Sequence, residues 1–257
     1  MVINNMQENM EKYRGFLKDD LRLKMDFSQT DQNLGVQMPP VEKPFSKESK
    51  RIKLPEPEEW QNIRDLDVIS AIKSRKSRRK YLDKPIRLDE LSFILWATHG
   101  VRKRLGAVTL RNVPSAGNRH AIETYLCILN VSSLEPGVYR YLPLEHELLI
   151  ESLEDDIVEF IERIGHATLG QFFIGTAATV FVWVAIPYRM EWRYGIAAHK
   201  VMAIDAGHIC QNLYIACEAI GAGTCAIAAY NQQLMDSLVG VDGKEEFAIY
   251  LAPVGKV

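Results

Sequence analysis

The segment that most constrains the fold is Lys200–Tyr230, which contains a long and almost unbroken apolar run. From residue 201 to 220 apolar side chains occur on nearly every face of a helix, which is typical of a buried helix. Gly221 then predicts a left-handed C-terminal cap, and residues 224–230 predict a short buried strand. Since one chain of this size rarely surrounds a helix completely, we expect part of the helix to face a second subunit.

Five polar residues interrupt the apolar run, and they argue against a membrane-spanning segment. They are Asp205, His208, Gln211, Asn212 and Glu218. The 257 residues suffice for one large domain with a buried core, and contents of 47% hydrophobic and 25% charged residues are ordinary. A net charge of −2 gives no electrostatic basis for binding nucleic acid or an anionic membrane.

No secretion signal is recognisable, and the four cysteines lack the spacing of a metal site. We therefore expect a cytoplasmic protein whose cysteines are buried as small apolar residues. The six histidines are scattered without a ligand motif, so we also expect no metal. Ser115 does not lie in a nucleophile-elbow pattern, which leaves no sign of covalent catalysis.

The first 64 residues differ in character from the rest, so we divide the chain into residues 1–64 and 65–257. Apolar residues between Met6 and Leu21 recur at helical spacing, and Asn5 with Glu8 predicts a capping pair for that helix. Prolines and alternating charges over residues 26–59 predict an extended arm. Two interpretations of the arm stay open: a solvated linker, and a strap around a partner subunit.

Helical and strand patterns interleave over residues 65–257 and predict an α+β domain. The predicted helices cover residues 68–74, 89–99, 152–165, 169–175 and 201–220, with a last helix from the N-cap Asn231 to Val239. The predicted strands cover residues 122–131, 138–142, 178–186 and 247–254. Residues 110–118 contain too many turn formers for either element and predict a loop.

A basic string at the end of the helix predicted at 68–74 is the first candidate site. It consists of Arg75, Lys76, Ser77, Arg78 and Arg79. Alternate residues of an extended segment point to the same side, so Arg75, Ser77 and Arg79 converge on one group. Guanidinium forks with a hydroxyl form a donor set that suits a phosphate. The alternative is a solvated basic surface without a ligand.

Two segments of small residues are candidates for contact with a planar ligand, because small side chains let a ligand approach the backbone. The first consists of Pro114, Ser115, Ala116, Gly117 and Asn118, and the second of Gly221, Ala222, Gly223 and Thr224. Asn118 offers both a donor and an acceptor. The second segment ends a helix and opens a strand, the reverse of a dinucleotide-binding fingerprint. Each segment is also explained as a turn, and Lys256, just past the closing strand, as a solvated lysine.

Taken in order, these motifs resemble the nitroreductase-like flavoprotein superfamily. The shared elements are R-x-S-x-R, P-S-A/S-x-N, a long buried helix ending in Gly-x-Gly, and a closing P-V-G. Residues 193–224, RYGIAAHKVMAIDAGHICQNLYIACEAIGAGT, are similar to the SagB-type dehydrogenase branch, in which Tyr-Gly precedes a D-A-G-H-x-x-Q-N-L helix. The resemblance covers about residues 65–257.

The resemblance implies an α+β nitroreductase-like fold, with a mostly antiparallel central sheet flanked by helices and a long buried central helix. It also implies an intertwined homodimer with two FMN molecules at the subunit interface. Residues Arg75, Lys76, Ser77 and Arg79 would bind the phosphate and the pyrimidine side of the ring. Residues 114–118 would line the flavin, residues 221–224 would pass along it from the same or the partner chain, and Lys256 would approach the phosphate. Arg79 would stabilise negative charge on the reduced ring.

This chain departs from the pattern just before the central helix. Family members that oxidise thiazoline or oxazoline rings carry a Lys-Tyr pair where this chain has Arg193-Tyr194. Tyr194 can still donate or accept a proton, whereas the guanidinium group of Arg193 keeps its proton and is a very poor base. A structural use of the pair, bonding the arm or the flavin loop, is the alternative to a catalytic one.

Three functions follow as hypotheses. The first is an FMN-dependent oxidoreductase that transfers two electrons, as a hydride, from NAD(P)H or an organic donor to a small acceptor such as a nitroaromatic or a quinone. Tyr194 and Arg79 would be its catalytic residues. The second is a thiazoline/oxazoline peptide dehydrogenase of SagB type. The third, from a different class, is a flavin-binding protein without turnover.

Overall fold

The computed structural model of the chain describes residues 2–61 and 63–257, with side chains from Met6 onward. Its strands are β1 (Arg51–Lys53), β2 (Val101–Leu105), β3 (Val108–Arg111), β4 (Ile122–Ile128), β5 (Gly137–Leu142), β6 (Glu147–Leu153), β7 (Thr179–Ala185), β8 (Ala222–Thr224) and β9 (Phe247–Lys256). Its α-helices are α1 (Val2–Leu17), α2 (Leu21–Lys24), α3 (Val68–Ser74), α4 (Leu88–His99), α5 (Ile157–Ala167), α6 (Tyr188–Tyr194), α7 (Ala198–Ala219) and α8 (Gln232–Val239).

The central element is a sheet in which, within the described residues, seven strands pair antiparallel in the order β1-β6-β5-β4-β7-β9-β8. The inner strands β4, β5 and β7 are buried along their whole length. Successive side chains of a strand point to opposite faces, and this alternation divides the core in two. Leu126 and Trp183 pack with α4 and α7, whereas Cys127 and Val182 pack with α5 and α8.

The structure confirms the α+β class, the antiparallel sheet between helices and most of the predicted elements. The α3 helix begins after Asp67, whose side chain accepts the Ser70 N–H, and α8 begins after Asn231, which accepts the Leu234 N–H. Helix α7 is followed by Gly221 at φ +61°, the left-handed cap that the sequence predicts. Each of these features depends on neighbouring residues alone, which is why the sequence reveals them.

Several predicted elements are wrong. Residues 101–111 form the β2–β3 hairpin instead of leading into a loop from residue 110, and β6 replaces the start of the helix predicted at 152–165. Residues 225–230 do not form a strand. Their backbone makes one isolated bridge, from Ile227 to Leu251, and the Ala226 N–H donates to the Tyr214 hydroxyl instead of to a neighbouring strand. Helix α1 begins at Val2, so Asn5 lies inside it and cannot cap its start. Strand β9 continues to Lys256, which therefore lies within the strand.

Helix α7 is buried along one side and exposed along another. Its exposed residues form a stripe at helical spacing: Ala203, Ile204, Gly207, His208 and Gln211. The apolar sequence predicts a helix that is buried on nearly every face. In the single chain, however, this stripe is exposed. The second subunit that would cover this stripe stays a prediction.

The N-terminal arm is docked on its own chain. Strand β1 pairs with β6 at the edge of the sheet, and Leu54, which follows it, is 1% exposed. Lys43 forms an ion pair of 2.5 Å with Glu246, and its backbone N–H donates to Glu123 at 2.8 Å. The arm is thus not a solvated linker. The division of the chain at residue 64 stays a prediction about sequence character.

Glu42 in the docked arm makes stability dependent on pH. Its side chain is buried and accepts the Leu144 N–H at 3.0 Å. Burial raises the pKa of Glu42 to about 8; the Leu144 hydrogen bond opposes that rise, and the Glu123 and Glu145 charges add to it. Since the folded pKa lies above the ordinary value of 4.5, the contribution of Glu42 to stability is complete below that value and is lost as pH rises through about 8.

We predict that Glu42→Gln removes this loss. The free energy of unfolding of the variant minus that of the wild type should be larger at pH 9 than at pH 5. The increase should exceed roughly 1.4 kcal/mol, the value of one pKa unit. Urea unfolding midpoints at the two pH values measure this. Glu48→Gln, which changes an exposed carboxylate of the same arm, should follow the wild type. A Glu42→Gln variant with the pH profile of the wild type would contradict the assignment.

Candidate functional site

The basic string lies against the edge strand β8. Ser77 forms a parallel bridge with Thr224, and the Arg78 N–H donates to the Thr224 carbonyl at 2.9 Å. The Ser77 hydroxyl lies 2.9 Å from the hydroxyl of Tyr214 on α7, and the Arg75 guanidinium lies over the Tyr214 ring at 5.3 Å. Arg75 and Ser77 therefore point to the same side, as alternation predicts. The string and residues 221–224 form one surface.

Arg78 points to the other side of the string and packs on Gly223. A Cβ atom at Gly223 would collide with the Arg78 side chain, so only glycine lets the two segments lie this close. The Arg78 Nε and the Thr224 Oγ1 are both buried without a hydrogen-bond partner in the described chain. Unpaired buried polar atoms are rare and often indicate a missing ligand or water.

The positive charge of this surface is not neutralised by the part of the chain that the structure describes. Five cations occur between residues 75 and 80, and none forms a salt bridge within residues 2–61 and 63–257. Arg79 is exposed, and Arg75 is partly exposed beside Tyr214. Guanidinium groups next to a hydroxyl and a glycine-containing edge fit a phosphate-bearing planar ligand. The donor set is therefore suited to a flavin mononucleotide.

Residues 114–118 lie elsewhere, at the N-terminal half of α7. The Ala116 N–H donates to both carboxylate oxygens of Asp205 at 3.3 Å. Gly117 has φ +58°, and a Cβ atom there would lie 2.6 Å from the Tyr194 hydroxyl. The loop thus packs against the Arg193-Tyr194 pair, and it needs glycine where it does so.

Asp205 and His120 hold this loop, and neither residue was predicted from the sequence to belong to the site. Asp205 is 4% exposed; burial raises its pKa, and hydrogen bonds from Ser115 and Ala116 oppose that rise. The His120 N–H donates to the Ser115 hydroxyl at 2.9 Å. A carboxylate inside an otherwise apolar helix needs a buried donor, and that signal could have identified Asp205. No comparable signal marks His120.

The Arg193-Tyr194 pair is tied to the arm. An Arg193 Nη donates to the Gln32 side chain at 3.1 Å, and the guanidinium groups of Arg193 and Arg22 lie 5.5 and 5.4 Å from the centre of the Tyr194 ring. The Tyr194 hydroxyl forms no hydrogen bond with the described residues. Arg193 is therefore bonded to the arm, which is the contact that the structural interpretation of the pair expects. The catalytic role of Tyr194 stays a prediction.

Lys256 has partners of its own. Its ammonium group lies 2.6 Å from a Glu90 carboxylate oxygen and 2.6 Å from the Ile220 carbonyl oxygen. It is thus not the solvated lysine that its position near the chain end indicates. A phosphate contact would have to compete with Glu90.

The two candidate surfaces are separated along one helix. Tyr214 contacts the basic string. Asp205, which lies nine residues earlier on α7, contacts the 114–118 loop. At 1.5 Å per residue the separation is roughly 13 Å. Within one chain, Arg75 and Gly223 therefore lie together and Asn118 does not join them.

The arrangement defines an α+β protein with a cationic edge beside Tyr214 that forms no salt bridge within the described residues. The Nitroreductase family model matches residues 72–256, and the chain belongs to that family. It is accordingly an oxidoreductase. Proteins of this family generally bind a flavin, form dimers and act on small molecules.

Comparisons with individual proteins agree with this membership. A candidate nitroreductase of Methanocaldococcus jannaschii is 32% identical over 199 residues, covering 76% of this chain and 93% of that protein. A candidate nitroreductase structure from Ralstonia eutropha is 25% identical with a TM-score of 0.66, covering 86% of this chain and 98% of the other. The Escherichia coli microcin synthetase McbBCD complex with truncated pro-MccB17 contains a chain of the same fold, at 18% identity and a TM-score of 0.60, covering 75% and 74%.

Among the helices described here, none is both long and apolar enough to cross a lipid bilayer. In the same part of the chain, no group of three or more histidine, cysteine, aspartate or glutamate side chains is placed to hold a metal ion.

We predict that Asp205→Asn loosens the 114–118 loop, because an amide NH₂ then faces the donors that the carboxylate accepted. The cost should be about 1–3 kcal/mol. Hydrogen exchange of the Ala116 amide should accelerate. Asp236→Asn is the matched control, since Asp236 is also 4% exposed and accepts the Ala248 N–H far from the loop. Equal protection of the Ala116 amide in both variants would show that Asp205 does not hold the loop.

Proposed function

We propose that the protein is an FMN-dependent oxidoreductase that works as a homodimer. It would pass two electrons, as a hydride, from NAD(P)H or an organic donor to a small acceptor such as a nitroaromatic or a quinone. The observation that carries this proposal is the cationic edge at residues 75–80, which forms no salt bridge within the described residues and lies against the glycine-containing strand β8. Family membership supports a flavin as the ligand.

The basic string would hold the phosphate end and the pyrimidine edge of FMN. Arg75 and Arg79 supply guanidinium forks, Lys76 supplies a further charge, and Ser77 supplies a hydroxyl beside Tyr214. Bound flavin would supply the reversible two-electron chemistry. Arg79, which is exposed and unpaired in the described chain, would stabilise negative charge at the ring. Lys256 is assigned a supporting role, since Glu90 already holds it.

The ring would lie along residues 221–224, where small residues permit close approach of the backbone. Residues 114–118 would contact it as well, but in one chain they lie roughly 13 Å along α7 from Tyr214. We therefore propose that the 114–118 loop of a second copy completes each site, which gives two equivalent sites in a homodimer. The exposed stripe of α7 supports this arrangement as the surface where the second copy would pack.

Tyr194 would serve as the proton donor or acceptor for the bound small molecule. Its hydroxyl touches the 114–118 loop at Gly117, and it has no hydrogen-bond partner in the described chain. The four cysteines are free and buried, which supports a cytoplasmic location for the protein.

A peptide azoline dehydrogenase is the second candidate, favoured by the similarity of residues 193–224 to the SagB-type branch. The position of the family's lysine is occupied by Arg193, which keeps its proton and is bonded to Gln32. This placement weighs against the second candidate. Oxidation of an azoline peptide by the Arg193→Lys variant, with none by the wild type, would identify residue 193 as the cause.

The proposal predicts that purified protein is yellow and that its flavin absorbance bleaches in an anaerobic titration with NADH or NADPH. The absorbance should return when a nitroaromatic or a quinone is added. Colourless protein that takes up no FMN would end the proposal. Bound flavin that dithionite reduces but no nicotinamide or organic donor reduces would favour a flavin-binding protein without turnover.

The Arg75→Ala/Arg79→Ala double variant tests the assigned site in the same assay. Loss of two charge-assisted hydrogen bonds at about 1.5–3 kcal/mol each should weaken FMN binding at least about 100-fold. Lys47→Ala/Lys50→Ala removes the same net charge from exposed positions on the arm and should leave the affinity unchanged. Unchanged affinity in the arginine variant, or an equal loss in the lysine variant, would remove the basic string from the site.

A further inference from the structure

His120 is held in an unusual position behind the 114–118 loop. It is 3% exposed, and its φ of +47° lies in the left-handed region that residues other than glycine rarely adopt. Such backbone persists when the surroundings fix it, and it is found at functional sites more often than elsewhere. Asn118, two residues earlier, also lies in this region, with φ +56°.

The contacts of the His120 ring determine which nitrogen carries the proton. Its Nε2 lies 3.2 Å from the Thr109 carbonyl oxygen and 2.8 Å from the Asn118 Oδ1. A backbone carbonyl can only accept, so Nε2 is the protonated nitrogen and donates. The Asn118 atom that faces Nε2 must then be the oxygen, and the NH₂ group of Asn118 is turned away.

The surroundings keep this ring neutral. Burial lowers the pKa of His120 to about 3, and the neighbouring charges of Arg111, Arg119 and Arg189 act in the same direction. The hydrogen bond with the Thr109 carbonyl has the opposite effect and raises the pKa. The other ring nearby, His99, lies edge-on at 6.4 Å and is itself buried. The imidazole therefore presents the same single donor to Asn118 across the physiological range of pH.

The other polar groups of the loop are already used. The Ser115 hydroxyl accepts the His120 N–H and bonds the Asp205 carboxylate, and the Asn118 N–H donates to the Ser115 carbonyl at 2.9 Å. The NH₂ group of Asn118 makes no hydrogen bond to the residues that the structure describes. Among the side chains of residues 114–118, it is the donor left to meet a ligand.

We propose that His120, as its neutral Nε2–H tautomer, is a positioning residue that turns Asn118 so that the amide NH₂ group, and not the amide carbonyl, faces the bound ring. The ligand atom opposite Asn118 is then an acceptor, a ring carbonyl oxygen or an unprotonated ring nitrogen. This inference rests on the proposed function, because it takes FMN as the ligand. It assigns Ser115 to the support of the loop instead of to flavin contact.

The tautomer is tested without FMN. In the full chain labelled with ¹⁵N-histidine, long-range ¹H–¹⁵N spectra assign the His120 ring as the signal that disappears in His120→Gln. That ring should be protonated at Nε2 and should not titrate between pH 5 and pH 8. A His120 ring that is protonated at Nδ1, or that titrates in this range, would overturn the proposal whether or not the protein binds flavin.

The effect on Asn118 is tested by FMN affinity. His120→Leu removes the donor and should weaken FMN binding about 3- to 10-fold, the loss expected for one hydrogen bond. His120→Gln keeps an N–H donor on a side chain of similar reach and should bind FMN as the wild type does. Both variants place a non-glycine residue on the same backbone, so the difference between them reports the donor and not the strain.

A double-mutant cycle separates positioning from a general structural role. In an Asn118→Ala background, His120→Leu should cause no further loss of FMN affinity, because the group that it positions is gone. An equal loss in both backgrounds would overturn the proposal, as would wild-type affinity in His120→Leu when Asn118→Ala alone weakens binding. Failure of every variant and of the wild type to bind FMN would instead contradict the proposed function, and the tautomer measurement would still stand.

Discussion

The rigidity of α7 is the constraint on which the rest of the structure depends. The helix packs against α4 and one face of the sheet, and its buried side chains, including Ile209, Leu213 and Cys217, belong to the larger core cluster. Tyr214 holds the basic string and Asp205 holds the 114–118 loop from the same helix. Because both anchors lie on one packed helix, the roughly 13 Å between them is fixed and cannot be closed by a loop movement. The proposed function therefore takes the two surfaces of one site from two copies of the chain.

The charges around α7 explain why the basic string remains available. The carbonyl groups at the C-terminal end of a helix attract cations, and two side chains already satisfy them here. Arg64 donates to the Glu218 and Ala219 carbonyls, and Lys256 donates to the Ile220 carbonyl while it pairs with Glu90. The cations between residues 75 and 80 are therefore not required by the helix end. They lie beside it without a carboxylate partner in the described chain, which is the state expected of groups that bind an anionic ligand.

Local sequence rules predicted the parts of the fold that neighbouring residues decide. Asp67 and Asn231 cap their helices as expected, and alternation placed Arg75 and Ser77 on one side of the string. The β2–β3 hairpin was missed because β2 is largely exposed and basic, so it has no apolar face to reveal it. Long-range contacts were invisible for a different reason. The pairing of Lys256 with Glu90 joins positions far apart in the chain. The hydrogen bonds that hold residues 114–120 do so too, or depend on backbone in the left-handed region. No rule based on residue spacing predicts such contacts.

The central claim is that each flavin site combines the basic string of one chain with the 114–118 loop of another. Its most direct test mixes two damaged chains, one carrying Arg75→Ala/Arg79→Ala and the other Asn118→Ala, with different affinity tags so that mixed dimers can be isolated. If the sites are shared, each mixed dimer contains one site with both parts intact, and FMN titration should find one site of wild-type affinity per dimer. If each site belongs to a single chain, no intact site exists in the mixture. Mixed dimers that bind FMN no better than the two parent variants would contradict the account.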